Sequence, residues 1–230
     1  MKISVLSDGG WGTALAMVLC GNGHEVTMWG PFPDYLEQMK SQRENTRFLK
    51  GVKLPAALRL ESDLRTAMQS EYLILASPTQ YMRGVLNQAK PFFDPARHKL
   101  IDVAKGIECE TLERVSTMCL EIFGECRYSV MSGPSHAEEV SREVPTAVVA
   151  ASADAELALE VQQLFMNQYF RVYTSDDYVG VELGGALKNV MAIAAGIIDG
   201  MKLGDNPKAA MMTRGIAEMS RLGAALGGNS

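Results

Sequence analysis

The feature that most constrains this chain is an alternation. Short apolar runs of strand length are separated by amphipathic stretches of helix length. Lys2–Leu6 reads as a strand and residues 11–21 as a helix; Glu25–Trp29 is the next strand and 34–43 a polar helix. Residues 72–76, 99–103 and 128–131 are further strands, with helices over 80–89 and 111–123. Residues 145–151 and 169–173 add two strands around a helix at 155–166. Strands alternating with helices at this spacing predict an α/β fold: a Rossmann-type, doubly wound, mostly parallel sheet.

The texture changes after Thr174. From Asp177 onward the pattern is helical, rich in Ala, Gly and Met and without β-branched alternation. Ser175-Asp176-Asp177 is a good N-cap region. Pro207 suits the first turn of the last helix, with Asp205 or Asn206 as its cap. A boundary is expected near 175, dividing the chain into 1–175, an α/β part, and 176–230, the start of an all-α part. The apolar stretch 190–198 is too short to span a membrane and reads as a buried core helix.

Composition narrows the function classes. The 230 residues carry a net charge of −5 with no long basic run, which argues against nucleic acid as a partner. No signal peptide and no membrane span are expected. The four cysteines (Cys20, Cys109, Cys119, Cys126) form no C-x-x-C, and the three histidines do not cluster, so no metal site is expected. Reduced thiols and a cytoplasmic location follow.

The first strand runs into S-D-G-G-W-G-T, Ser7 to Thr13. A strand, a glycine turn and a helix are the context of the dinucleotide fingerprint G-x-G-x-x-G. Free N–H groups and the helix dipole attract a pyrophosphate there. Gly9 stands where a side chain would block that approach, and Gly12 where helix and strand pack closely. Ser7 replaces the first glycine, and Asp8 places an acid beside the phosphate path, either turned outward or weakening binding. The second strand ends Trp29-Gly30-Pro31, with neither acid nor base, so the residues alone do not choose between NAD and NADP. A plain strand–helix turn accounts equally for the glycines.

Three later stretches carry chemistry. Val103-Ala104-Lys105-Gly106 puts a lysine past a strand end, where α/β sheets bind ligands. Ser132-Gly133-Pro134-Ser135 offers a hydroxyl and backbone donors at another strand end. Gly184-Gly185-Ala186-Leu187-Lys188-Asn189 puts a lysine and an amide on an apolar helix, with two glycines four residues earlier leaving room beside them. A buried lysine beside a second cation has a lowered pKa and can act as acid and base. Each stretch also has an ordinary reading: a solvent-reaching lysine, a loop lysine, a packing contact and a turn.

The series W-G-T-A-L-A, G-H-E-V-T-M-W, A-K-G-I-E, S-G-P-S, P-T-A-V, F-R-V-Y-T-S-D-D, G-V-E-L-G-G-A-L-K-N-V and T-R-G-I-A-E-M-S-R-L-G covers nearly the whole chain in order. In it the chain resembles the bacterial NAD(P)-dependent sn-glycerol-3-phosphate dehydrogenase family. The resemblance implies reversible hydride transfer between glycerone phosphate and sn-glycerol 3-phosphate, with NAD or NADP as cofactor. It assigns Gly9, Gly10, Trp11, Gly12, Pro31, Phe48, Lys105 and Ala137 to the cofactor. It assigns Lys105, Gly133, Ser135, Lys188 and Asn189 to the substrate, with Lys188 as proton acceptor. It also implies about 100 further residues, carrying an Asp and an Arg-Asn pair that complete the site. Without them, exposed apolar helix faces favour a homodimer. Ser7, Asp8, Pro31 and His136 depart from the family pattern, and His136 is expected to serve packing. Two other classes stay open: a silent dinucleotide- or phosphate-binding paralogue, and a related 2-hydroxyacid or ketoacid reductase.

Overall fold

A computed structural model describes residues 1–229. The expected alternation is present. Strand β1 (Lys2–Leu6) feeds helix α1 (Gly10–Gly21), then β2 (Glu25–Trp29) and α2 (Pro33–Gln42). A hairpin of β3 (Glu44–Asn45) and β4 (Leu49–Lys53), edge strand β5 (Arg59–Glu61) and the short α3 (Leu64–Ala67) follow. Next come β6 (Tyr72–Leu75), α4 (Thr79–Ala89), β7 (Lys99–Asp102), α5 (Val115–Phe123), β8 (Arg127–Ser132) and the one-turn α6 (Ala137–Val140). The chain closes with β9 (Thr146–Ala151), α7 (Ala155–Phe165), β10 (Phe170–Ser175), α8 (Tyr178–Gly200) and α9 (Asp205–Ala225).

Eight strands form one sheet in the order β10-β9-β8-β7-β6-β1-β2-β5. Every neighbouring pair is parallel except β8 with β9. The central strands are apolar on both faces, as a doubly covered sheet requires: Ile3, Val5, Ile74 and Ile101 pack on the α1, α2 and α7 side, and Leu6, Leu73, Leu75 and Leu100 on the α3, α4 and α5 side. Strand order reverses at β1, which lies between β2 and β6. That reversal opens a crevice beyond the carboxyl ends of β1 and β6, the usual ligand position in such sheets.

Several local expectations need correction. Helix α5 begins at Val115, not 111. Arg83 on α4 binds Glu108, Glu113 and Glu121, and the Thr111 hydroxyl donates to Glu108, so residues 108–113 are held as a closed loop with Leu112 at φ 61°. Asp177 does cap α8, accepting from the Gly180 N–H at 2.8 Å. Helix α9, however, starts at Asp205 itself, after Gly204, and no side chain caps it.

Stretch 190–198 is not buried: Val190, Ile193 and Ile197 are exposed. Only the first turns of α8 lie on the sheet, where Val179, Glu182, Leu183 and Gly185 are buried. Beyond them the helix has α9 as its neighbour, with Met191 seated against Gly215. Among the described residues α8 is the one helix long and apolar enough, by length and composition, to cross a membrane. Its buried Glu182 ties its start to β8 and α5 instead. Among the described residues no group of His, Cys, Asp and Glu is placed to hold a metal ion.

Candidate active site

The crevice at the strand-order reversal is a cleft of about 960 Å³. One wall is the glycine turn. Helix α1 begins at Gly10, and no side chain caps it, so its first-turn N–H groups face the cleft mouth without protein acceptors. Ser7 accepts from the Gly9 N–H at 3.0 Å, which closes the turn that a glycine would otherwise make. A Cβ on Gly12 would meet Ala76 Cβ, the Ser7 carbonyl and Val5 Cγ1, all at 3.2 Å, so this glycine sets the helix–sheet distance. A Cβ on Gly10 would fall on the Phe48 carbonyl oxygen. The glycine turn and the hairpin loop therefore touch backbone to backbone, and Phe48 is held at the cleft edge, half exposed.

Asp8 neither points outward nor sits over the helix mouth. It is 7% exposed, and its carboxyl is turned toward Gly30 at the end of β2. Burial pushes the carboxyl above the usual carboxylate range, with the Arg47 charge acting the other way.

The opposite wall carries charge. Lys105 follows β7, and its Nζ donates to Ser135 Oγ at 2.7 Å and to the Gly133 carbonyl at 3.3 Å. The same ammonium lies 5.2 Å from the Trp11 ring centroid, joining the two walls. Gly106 lets the lysine loop lie on α4, since a Cβ there would be 2.7 Å from Thr79 Oγ1. Lys188 reaches the cleft from α8, its Nζ donating to Asn189 Oδ1 at 2.8 Å. The depressed lysine is Lys105: burial, then the Lys188 charge, pushes it down to about 8.

Behind this wall lies a buried polar cluster. Glu182 on α8 accepts from Arg114, from the Ser116 N–H and hydroxyl, and from Tyr128. Tyr128 also lies 3.1 Å from Asp102, whose other oxygen accepts from the Ala104 N–H. The lysine-bearing loop and helix are thus fixed to one point.

Of the residues expected at the site, Gly9, Gly10, Trp11, Pro31, Phe48, Lys105, Ser135 and Lys188 line the cleft. Gly12 sits beneath it. Gly133 sits behind, where a Cβ would meet the Ala147 carbonyl at 2.8 Å, and offers its own carbonyl to Lys105. Ala137 opens α6 and packs at the core edge. Asn189 is exposed and acts on Lys188. Two expectations fail. His136, expected to serve packing, is exposed rather than in the core. Of the two glycines expected to leave room beside Lys188 and Asn189, Gly184 is open, with nothing among the described residues within 4 Å of a Cβ there, but a Cβ on Gly185 would be 2.6 Å from Ser132 Oγ, so Gly185 is a packing contact.

The sequence reading missed the cleft floor. Trp29, Phe32, Ser77, Gln80 and Tyr81 also line it. Ser77 donates to the Leu6 carbonyl at 2.8 Å, tying the ends of β6 and β1 together, and Gln80 bonds the lysine loop at Ile107 and Cys109. The available signal was S-P-T-Q directly after a strand, the position where the other motifs also lie.

A dinucleotide fits this arrangement. The uncapped helix start suits a pyrophosphate. Asp8 and Trp11 line the cleft, and their buried Oδ2 and Nε1 atoms have no protein partner among the described residues. Exposed Phe32 and Phe48 offer flat surfaces for rings.

Comparison with known proteins agrees. The model of the NAD-dependent glycerol-3-phosphate dehydrogenase N-terminus matches residues 2–158, and that of its C-terminus matches 177–230. The glycerol-3-phosphate dehydrogenase [NAD(P)+] of Geobacter metallireducens is 50% identical over 230 residues, covering 98% of this chain and 68% of the relative. That of Bacillus velezensis is 47% identical, covering 99% and 67%. The crystal structure of glycerol-3-phosphate dehydrogenase from Coxiella burnetii superposes with a TM-score of 0.93 at 36% identity, over 99% of this chain and 70% of that one. The chain spans about two thirds of these relatives' length. Paired domain models over nearly every residue, set on a cleft that joins a glycine turn to two lysines, place this chain in the NAD-dependent glycerol-3-phosphate dehydrogenase family.

Proposed function

We propose that this protein interconverts glycerone phosphate and sn-glycerol 3-phosphate by hydride transfer with NAD(P)H, supplying glycerol phosphate to phospholipid synthesis. The observation that carries the reading is one cleft with a nucleotide-type glycine turn at one end and Lys105, Ser135 and Lys188 converging at the other. The division at about residue 175 belongs to this reading, with 1–175 as the nucleotide part and 176–230 as the start of the substrate part.

The nicotinamide supplies or accepts the hydride when bound. The chain's residues do the rest. Reducing the ketone generates an alkoxide, which must be protonated; oxidising the alcohol requires a base. In this reading Lys188, on the first half of α8, is that acid and base, with Asn189 orienting its ammonium. Lys105, hydrogen-bonded to Ser135, supplies positive charge for the substrate phosphate and touches Trp11 at the nucleotide end. Gly133 contributes through its backbone and Ala137 by starting the helix behind it.

The test is nucleotide absorbance with glycerone phosphate, NADH or NADPH and the purified protein. Substrate-dependent oxidation is expected, and Lys188→Ala should lower kcat by about 10² to 10⁴ with nucleotide affinity intact. Nucleotide binding without turnover would make the chain a silent binder. Turnover untouched by Lys188→Ala would remove Lys188 from its role.

A further inference from the structure

Doubly wound nucleotide-binding sheets read the adenosine ribose with an acidic side chain at the end of the second strand. In this chain β2 ends at Trp29, and the next residue is Gly30. No side chain is available there. The space is nevertheless filled. A Cβ built on Gly30 would lie 2.7 Å from Asp8 Oδ2, 2.9 Å from Asp8 Cγ and 3.0 Å from Asp8 Cβ. The Asp8 carboxyl therefore occupies the volume that a side chain at 30 would enter.

Three further observations point to a ligand at this carboxyl. Asp8 is 7% exposed, borders the cleft beside Gly9 and Gly10, and its Oδ2 has no hydrogen-bond partner. A buried acceptor without a donor is costly unless something supplies one. A hydroxyl donor is the group it lacks. The cations lining the cleft are Lys105 and Lys188, both at the far wall. Arg47, whose charge acts on Asp8, has its guanidinium over the Tyr35 ring, 4.1 Å from the centroid. A phosphate at the ribose would meet a carboxylate and no lining cation.

We infer that Asp8, reaching from the glycine turn into the space left by Gly30, accepts a hydrogen bond from the adenosine ribose 2′-hydroxyl and makes the site select NAD(H) over NADP(H). This rests on the reading of the cleft as a dinucleotide site. The feature that looked most damaging in the glycine turn becomes the ribose-reading acid, supplied by a different strand end.

The experiment is direct binding of NADH and of NADPH, by calorimetry or by quenching of tryptophan fluorescence, to the full chain and to Asp8→Ala and Asp8→Asn. The unaltered protein should bind NADH at least about tenfold more tightly than NADPH, the size of one hydrogen bond to a charged group. Asp8→Ala should shrink that ratio by a similar factor, with NADPH gaining as NADH loses. Asp8→Asn keeps the shape but not the charge, and serves where the alanine variant fails to fold; it should raise NADPH affinity. A ratio within about twofold in the unaltered protein overturns the inference. So does an unchanged ratio in both variants, or an NADPH preference that Arg47→Ala abolishes. Binding of neither nucleotide overturns the underlying reading of the cleft as well.

Discussion

The two walls of the cleft are built by different means. The glycine-turn wall is backbone against backbone: Gly12 on Val5, Ser7 and Ala76, and Gly10 on Phe48. Its uncapped helix start offers oriented N–H groups. The lysine wall is side chain against side chain. Lys105, Ser135 and Lys188 are held by a loop that Arg83 ties down through three glutamates, and by a helix that Glu182 ties to Tyr128, Ser116 and Arg114. The difference teaches what each wall can tolerate. The first should fail when a single carbon is added at one of its glycines. The second should accept changes of volume and fail when charge or proton position changes.

The sharpest break is at the glycines, and it separates two roles. Gly12→Ala places a carbon at 3.2 Å from three atoms, on β1 and just past the ends of β1 and β6. It should cost about 1–3 kcal/mol of stability, as overpacking of a close-packed interface does. Gly9→Ala meets only the Ser7 hydroxyl oxygen at 3.2 Å, which need give by only a few tenths of an ångström and can keep its bond to the residue 9 N–H. It should leave the denaturation midpoint nearly unchanged. Its methyl group nevertheless stands in the pyrophosphate path, so NADH affinity should fall by about tenfold or more. Urea denaturation and nucleotide titration of both variants check this. A Gly9→Ala protein that binds NADH normally would remove the glycine turn from phosphate contact.

On the lysine wall the comparison turns on charge. Lys105 is pushed down to about 8 by burial and by Lys188. Its folded value lies below that of a free lysine, so the buried ammonium costs stability below about pH 8. That cost fades as pH rises toward the unfolded value. Substrate binding runs the other way, because a phosphate needs the charged form. The KM for glycerone phosphate should therefore rise as pH climbs through about 8. Lys105→Arg stays charged at every working pH. It should flatten that limb and change KM at neutral pH by only a few-fold, about 1 kcal/mol or less. A limb that persists in Lys105→Arg would assign the titration to another group.

How much of this was legible in the sequence follows the same division. The sheet was readable because parallel strands buried on both faces are nearly continuous apolar runs, as in Leu73–Leu75 and, with one buried serine, Ile3–Leu6. The strand-end motifs at Lys105 and Ser135 were readable because doubly wound sheets place ligands there. The resemblance supplied Phe48, which no local pattern marks. It reaches the cleft through the hairpin loop against Gly10. Three-dimensional closure hid the rest. The direction of the Asp8 side chain depends on what residue 30 lacks, and the exposure of Val190, Ile193 and Ile197 depends on which neighbours α8 has beyond its second turn. Both are facts about pairs of distant segments, and hydrophobic periodicity reports one segment at a time.

The smallest expected effect tests whether the charged wall is held by charge or by hydrogen-bond geometry. Burial, then the Glu182 charge, holds the Asp102 carboxyl well above the usual carboxylate range. Tyr128 has one phenolic hydrogen and lies within hydrogen-bond distance of both Asp102 Oδ2 (3.1 Å) and Glu182 Oε1 (2.9 Å). One hydrogen cannot serve two carboxylates. A protonated Asp102 resolves this, donating to the phenol oxygen while the phenol donates to Glu182 and the other Asp102 oxygen accepts from Ala104. A raised folded value means that the native state binds the extra proton. Stability should therefore fall as pH rises from the unfolded carboxylate's value toward the raised folded one. Asp102→Asn reproduces the protonated pattern, its amide N–H replacing the acid proton. It should change stability at acidic pH by less than about 1 kcal/mol. It should also remove the decline that Asp102 contributes at higher pH, which denaturant midpoints across pH will show. A large loss of stability in Asp102→Asn, with the pH dependence intact, would mean that the carboxylate itself holds the lysine wall in place.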